Sequence, residues 1–223
     1  VRWANKLNEI GNCSTFLYEF CVIHADQFDK FNCSVAINRA THLFCANSDA
    51  NSQNMRKLIM WIVIVLSRGF SHQDATSFDK HKDATSLSSC IWGIGHSGFA
   101  SDCPYNFQKL LEDFKFNISQ HPYHHDSFSR ISLATVLAGI QKSTFSSQQI
   151  ECKGVCSVIR DICRKTKFVG WSPKEIGQVM LGLIKNFCSV NDLLDFSIRA
   201  VGGSATEILA QWGAHQLIWF AWA

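Results

Sequence analysis

Proline is almost absent from this chain, with three in 223 residues, at positions 104, 122 and 173. Helix interiors reject proline, so long stretches are left free to be helical. Charge is scarce as well: Asp, Glu, Lys and Arg make up 17% of residues against 47% hydrophobic. That balance excludes a disordered chain and argues against a highly charged solitary monomer. It suits a protein that hides part of its surface in an oligomer. Long apolar runs are missing too. The longest, 58–66, has nine residues, whereas a bilayer crossing needs about 20, and the apolar stretch 217–223 is shorter still, so no membrane span is expected. There is no internal repeat and no strand-turn-strand rhythm, which leaves no signal for a sheet.

Cysteine is abundant. The ten cysteines, at 13, 21, 33, 45, 90, 103, 152, 156, 163 and 188, are scattered and never form a C-x-x-C unit. A five-disulfide framework belongs to short secreted domains with thin cores. Here most cysteines sit inside apolar patterns, where a free thiol behaves as a small hydrophobe. Reduced, core-type cysteines are the favoured reading and a disulfide framework its rival.

The apolar spacing is helical. Ile176, Val179, Met180, Leu183, Ile184 and Phe187 fall on one face of a helix expected from Pro173 to Cys188. Ser172 is its expected N-cap and Glu175 completes a capping box. A second helix is expected from near Ser189 to Gly202-Gly203, and a third from Ser204, with Glu207 three residues on. Upstream, Val155, Val158, Ile159 and Ile162 form a face opposite Arg160, Asp161, Arg164 and Lys165. The segments 107–116 and 128–141 also read helical, as does 56–67, whose β-branched content leaves a strand open but whose length favours a helix. Weaker periods run through 16–23 and 36–45. The expected class is all-α. The Ser/Gln-rich stretch 143–149 reads as a connector, dividing the chain into residues 1–50, an N-terminal lobe at 51–142 and a C-terminal lobe at 143–223.

Motifs for small-molecule chemistry are weak. Gly93-Ile-Gly-His-Ser-Gly98 has the G-x-G-x-x-G form, but a dinucleotide site needs a strand before it and a helix after it. The run is followed by Phe-Ala-Ser-Asp-Cys-Pro, so it reads as a flexible loop. His121-Pro-Tyr-His-His-Asp126 gathers three histidines and a carboxylate. Their spacing is not that of a helical zinc pair, and Asp126 or Ser127 is a natural helix cap. No nucleophile elbow is present, and pairing ten cysteines with nine histidines is uninformative. No enzyme, metal or cofactor is expected.

Positive charge is clustered instead. Lys153, Arg160, Arg164, Lys165, Lys167 and Lys174 lie close together against Asp161 alone. A second group holds Arg68, Lys80 and Lys82, with Arg56 and Lys57 at the far end of the apolar segment. The plain reading of each is a solvated helix face. Two such faces opposed across a cleft would follow a phosphate backbone, with Phe70, Phe78, Trp171, His72 and His81 available to stack on bases.

Four stretches in order carry a family resemblance. They are Arg56-Lys-Leu-Ile-Met-Trp-Ile-Val-Ile-Val-Leu-Ser-Arg-Gly69, Lys109-Leu-Leu-Glu-Asp-Phe-Lys-Phe116, Phe128-Ser-Arg-Ile-Ser-Leu-Ala-Thr-Val-Leu-Ala-Gly139, and the helices from Ser172-Pro-Lys-Glu-Ile176 through Phe196 to Trp212. Together they cover about 54–215, and each motif is weak by itself; order and spacing carry the likeness. The chain resembles the nucleoproteins of segmented negative-strand RNA viruses of the phlebovirus and tenuivirus group.

The resemblance implies two helical lobes with an RNA-binding cleft between them. It also implies an N-terminal arm, within 1–50, exchanged with a neighbour in a ring or filament. Single-stranded RNA would be bound without sequence preference, in the virion and the host cell cytoplasm, with the viral polymerase as a further partner. The RNA-contacting positions it implies are Arg68, a lysine that falls on Lys80 or Lys82, and, in the C-terminal lobe, Arg160, Arg164, Lys165 and Lys167. Two family positions depart: a lysine is replaced by Ser71, and an aromatic after Leu-Ala-Gly by Ile140. The class-different rival is a helical protein-interaction module without RNA binding, host-captured or secreted and disulfide-bonded.

Overall fold

The computed structural model describes residues 2–10, 13–24, 27–46, 52–69, 77–120, 127–143, 150–186 and 188–201. All regular structure among them is α-helical: α1 Arg2–Glu9, α2 Ser14–Ile23, α3 Lys30–Ala46, α4 Ser52–Gly69, α5 Ser77–Ser97, α6 Pro104–Gln120, α7 Ser127–Lys142, α8 Ile150–Thr166, α9 Pro173–Lys185 and α10 Asn191–Val201. The all-α expectation is met. The helix expected from Ser204, the His121–Asp126 cluster and residues 144–149 of the connector lie outside the described residues.

The core is organised around α5, which packs on α3 and α7; α9 leans on α7, and α8 on α6. One buried apolar cluster runs from Leu7 to Leu193 and includes residues of all ten helices. Residues 1–46 contribute Leu7, Leu17, Cys21, Ile37 and Ala40 to it, and the Arg39 guanidinium donates to the Ile10 carbonyl. The first three helices are thus packed into the chain's own core. Phe99, Phe107, Phe114 and Phe168 are fully buried, each contributing about 2–3 kcal/mol of transfer free energy.

The Gly93–Gly98 run, expected as a loop, is the buried end of α5. Gly93 takes the Thr41 hydroxyl of α3 on its carbonyl at 3.2 Å, and Gly95 touches the Gly139 backbone of α7. Gly98, at φ +77°, closes the helix. There the Phe99 amide donates to Ile94 at 3.2 Å and the Gly98 amide to Gly95 at 3.3 Å, a Schellman pattern. These glycines serve close packing and capping.

The α9 start is as its sequence dictates. Ser172 is extended, the Glu175 amide donates to its hydroxyl at 3.3 Å, and the Ser172 amide donates to the Glu175 carboxylate at 2.7 Å. The helix stops at Lys185, short of the expected Cys188, because Asn186 caps it, and the Asn186 side-chain amide donates to Leu137 O at 3.0 Å, fixing α9 to α7; Phe187 lies outside the described residues.

Cys21, Cys33, Cys90, Cys103, Cys156 and Cys163 are buried free thiols, and Cys188 is a half-buried one. Burial pushes Cys21, Cys33 and Cys163 up to about 12, Cys103 up to about 11, and Cys90 well above its ordinary value. The folded chain therefore keeps protons that the unfolded chain releases once pH passes the ordinary thiol range, about 8.5. Stability is full below that value and falls above it, by up to about 1.4 kcal/mol per pH unit for each such thiol. Thermal midpoints are expected to drop steadily between about pH 9 and 11. A flat profile over that window would show these thiols are not buried as described.

Candidate nucleic-acid interface

The C-terminal half of α8 carries cations because its apolar residues, Val155, Ile159, Ile162 and Cys163, all turn inward. Arg160 and Arg164, one turn apart, converge on a residue from another helix, Asp192 in the first turn of α10. Arg160 donates to Asp192 Oδ1 from Nη2 at 2.7 Å and from Nε at 3.2 Å. Arg164 Nε donates to Oδ2 of the same carboxylate, and its Nη1 lies 3.5 Å from Asp161. Burial pulls the Asp192 pKa up, but hydrogen bonds from both arginines outweigh it and hold the carboxyl below its usual range. The Asp192 hydrogen bond also raises Arg164 further.

Lys165 and Lys167 remain exposed beside this fork. Lys167 stands in a left-handed conformation, φ +48°, and its Nζ lies 5.8 Å from the centre of the Phe196 ring. Four cations, Arg160, Arg164, Lys165 and Lys167, thus face two carboxylates at the end of α8, where positive charge also complements the helix dipole. The cluster is less unopposed than its local sequence indicates.

Arg68 lies in the last turn of α4, and Lys80 and Lys82 in the first turns of α5; their side chains are outside the description. Arg56 is committed to Asp102 at 2.9 Å, with its guanidinium 5.1 Å from the Phe99 ring centre. Ile140 is buried in the core. Trp171, expected as a base-stacking residue, is buried against Phe168 at 5.2 Å and beneath the Arg130 guanidinium at 5.5 Å. It is a packing residue. Phe70 and His72 lie outside the described residues, as do the side chains of Phe78 and His81.

The sequence reading missed two features. Trp92, half-buried, is flanked by His42 at 5.3 Å and His96 at 4.3 Å; burial lowers the His96 pKa, Trp92 O partly opposes that, and Lys142 and His42 lower it further. Trp92 and His96 are one turn apart on α5, so Trp92-x-x-x-His96 was a legible signal, whereas His42 comes from α3. Arg130 was the other. It is buried on α7, donates to Gly170 O and lies 3.5 Å from Glu175.

Among the described residues no group of three or more His, Cys, Asp and Glu side chains is arranged to hold a metal ion, and no helix is long and apolar enough to cross a membrane. Searches against protein-family models, curated proteins and solved structures return no match for this chain.

Proposed function

We propose that the chain is a nucleoprotein-like RNA-binding protein, acting by binding and polymerisation rather than catalysis. Single-stranded RNA is held by its phosphates, without sequence preference, at Arg68, Lys80, Lys82, Arg160, Arg164, Lys165 and Lys167. The observation that carries the reading is the fork on α8: two arginines pre-set by one carboxylate, with two exposed lysines beside them. A guanidinium held at fixed angle keeps further N–H groups for a phosphate. Trp92 between two imidazoles adds a stacking surface of the kind single-stranded sites use. The all-α fold supports the family resemblance in class. The two-lobed cleft, arm exchange between copies, a polymerase partner, and residence in the virion and host cytoplasm belong to the same proposal.

The test is fluorescence anisotropy with labelled single-stranded RNAs of different sequence, over a salt series. Lys165→Glu/Lys167→Glu and Arg68→Glu are each expected to weaken every RNA alike. The double variant should lower the salt slope by about 2. Asp192→Asn should strengthen binding and steepen the slope, because it releases two arginines. Unchanged affinity in all three variants would remove the proposal.

One observation favours the rival, a protein-interaction module: Phe16, Val22 and Ile23 of α2 and Phe31 of α3 are exposed. A chain with no RNA affinity that still binds another protein through this face would establish that reading instead.

A further inference from the structure

Helix α10 covers the cations at the end of α8 with one edge. Leu193 and Ser197, one turn apart, point inward and are fully buried, and Val190 is buried just before the helix. Asp192 and Phe196 are also one turn apart and fall on the adjoining edge. Each of them meets α8 cations. Asp192 Oδ1 accepts from Arg160 Nη2 at 2.7 Å and from Nε at 3.2 Å, and its Oδ2 accepts from Arg164 Nε. The Phe196 ring centre lies 5.8 Å from Lys167 Nζ, a cation–π contact. Lys167 and Phe168 are both left-handed, at φ +48° and +58°, a costly conformation for side chains of their size. Phe168 is fully buried, so the core holds that turn and keeps Lys167 beside the ring.

A carboxylate followed one helical turn later by an aromatic ring presents α8 with an anion and a stacking plane. Those are the two parts of a nucleotide that a single-stranded site recognises, its phosphate and its base. We propose that α10 is an autoinhibitory latch: Asp192 and Phe196 occupy the Arg160, Arg164 and Lys167 strip as an internal mimic of a nucleotide, and single-stranded RNA takes the strip by displacing α10. The inference rests on the RNA-binding reading and says how that site is regulated.

The latch is built to yield. Leu193 is the buried apolar anchor among the described side chains of α10, whereas α9 has Ile176, Val179, Met180 and Leu183. The ion pairs reach water, with the Arg160 side chain 28% exposed, Asp192 34% and Arg164 45%. Pairs this open hold weakly and are screened by salt.

An incoming strand first meets the exposed side of Arg164 and the exposed Lys165. It then offers successive phosphates to both arginines and both lysines, where Asp192 offers one carboxylate. Docked α10 and bound RNA are therefore alternatives, and by linkage each weakens the other by the same factor. With the strip covered in most molecules, the apparent RNA affinity is reduced to the share set by the uncovered fraction.

The experiment is hydrogen exchange read by mass spectrometry on the full chain, with and without a single-stranded oligouridylate whose binding is followed by anisotropy. Amides of α10 are expected to exchange about tenfold faster in the bound state, while those of α9 stay unchanged. Asp192→Asn/Phe196→Ala should bind the same RNA about tenfold more tightly, with α10 exchanging fast before any RNA is added. Phe196→Ala alone changes no charge and should still tighten binding several-fold, which a gain in net positive charge does not explain. Asp192→Asn alone, at a partly exposed position, gives the same two readouts if removal of the ring disturbs the fold. Bound RNA with α10 exchange unchanged or slowed, or variants that bind no more tightly than the parent, would overturn the latch and leave the RNA-binding reading standing. RNA bound by neither the parent nor any variant would overturn that reading and the latch with it. RNA bound by the variants alone would establish a latch that is closed in the parent chain.

Discussion

Gly95→Ala is expected to lower the thermal midpoint by about 10 °C or to leave no folded protein, the largest effect of an added methyl group among the described glycines. A Cβ at Gly95 would sit 2.0 Å from the Gly139 carbonyl oxygen and 2.7 Å from its carbon, both backbone atoms of α7. The reciprocal contact is as tight, since a Cβ at Gly139 would meet Ile91 O at 2.7 Å and the Trp92 Cα at 2.8 Å. No rotamer change relieves a backbone clash. The two helices must part along their shared length, opening the layer formed by Ile91, Ile94, Val136 and Ile140. Overpacking of this kind costs about 3 kcal/mol or more, against a total stability of about 5–15 kcal/mol. The better helix propensity of alanine returns about 1 kcal/mol and does not close the gap. Gly177→Ala on α9 is the control: nothing lies within 4 Å of its added Cβ, so the same exchange should stabilise by about 0.5–1 kcal/mol. Urea midpoints of the two variants should move in opposite directions. A Gly95→Ala midpoint at or above that of the parent chain would disprove the close crossing.

Arg130→Met should cost about 3 kcal/mol, although it keeps most of the side-chain volume. The Arg130 side chain is 9% exposed and that of Glu175 11%, so the pair is screened very little by solvent. Arg130 satisfies the Gly170 carbonyl and lies against the Trp171 ring, while Glu175 also accepts from the Ser172 amide at 2.7 Å and its hydroxyl at 2.9 Å. Losing the guanidinium leaves the Gly170 carbonyl without this donor and a buried carboxylate without its cation. Arg130→Met/Glu175→Gln should regain about 1–2 kcal/mol, because an amide oxygen still accepts the cap hydrogen bonds without an unpaired charge. Chemical denaturation of the four members of this cycle measures the coupling. Strictly additive costs would show that the two residues do not act on each other.

Where the determinants were local, the sequence was enough. The α9 start is written in Ser172, Pro173 and Glu175, and its inward face in Ile176, Val179, Met180 and Leu183; the structure shows both. The core character of most cysteines was legible in the same way, from the apolar company they keep. Where a residue's meaning depends on a distant partner, reading failed. Gly95 is indistinguishable from a loop glycine until Gly139 is beside it. Arg160 and Arg164 read as opposed by Asp161 alone until α10 delivers Asp192. Trp171 resembles a stacking aromatic only while the Phe168 and Arg130 that cover it are unknown. Helix α1 was unseen because its eight residues offer Trp3 and Leu7 and little else of an apolar period.

The shared core also sets a clock. Leu7, Leu17, Cys21 and Ile37 are sealed under the same cluster as Ile59 and Ile94. Transferring the first helices to a second protomer would first expose all of them to water. Such an opening lies near the top of the range of local unfolding free energies, so finished protomers would trade segments at about the rate at which they unfold. Any assembly built on that exchange would be decided while the chains first fold, and mixing two mature populations would leave each with its original neighbours for as long as its native half-life.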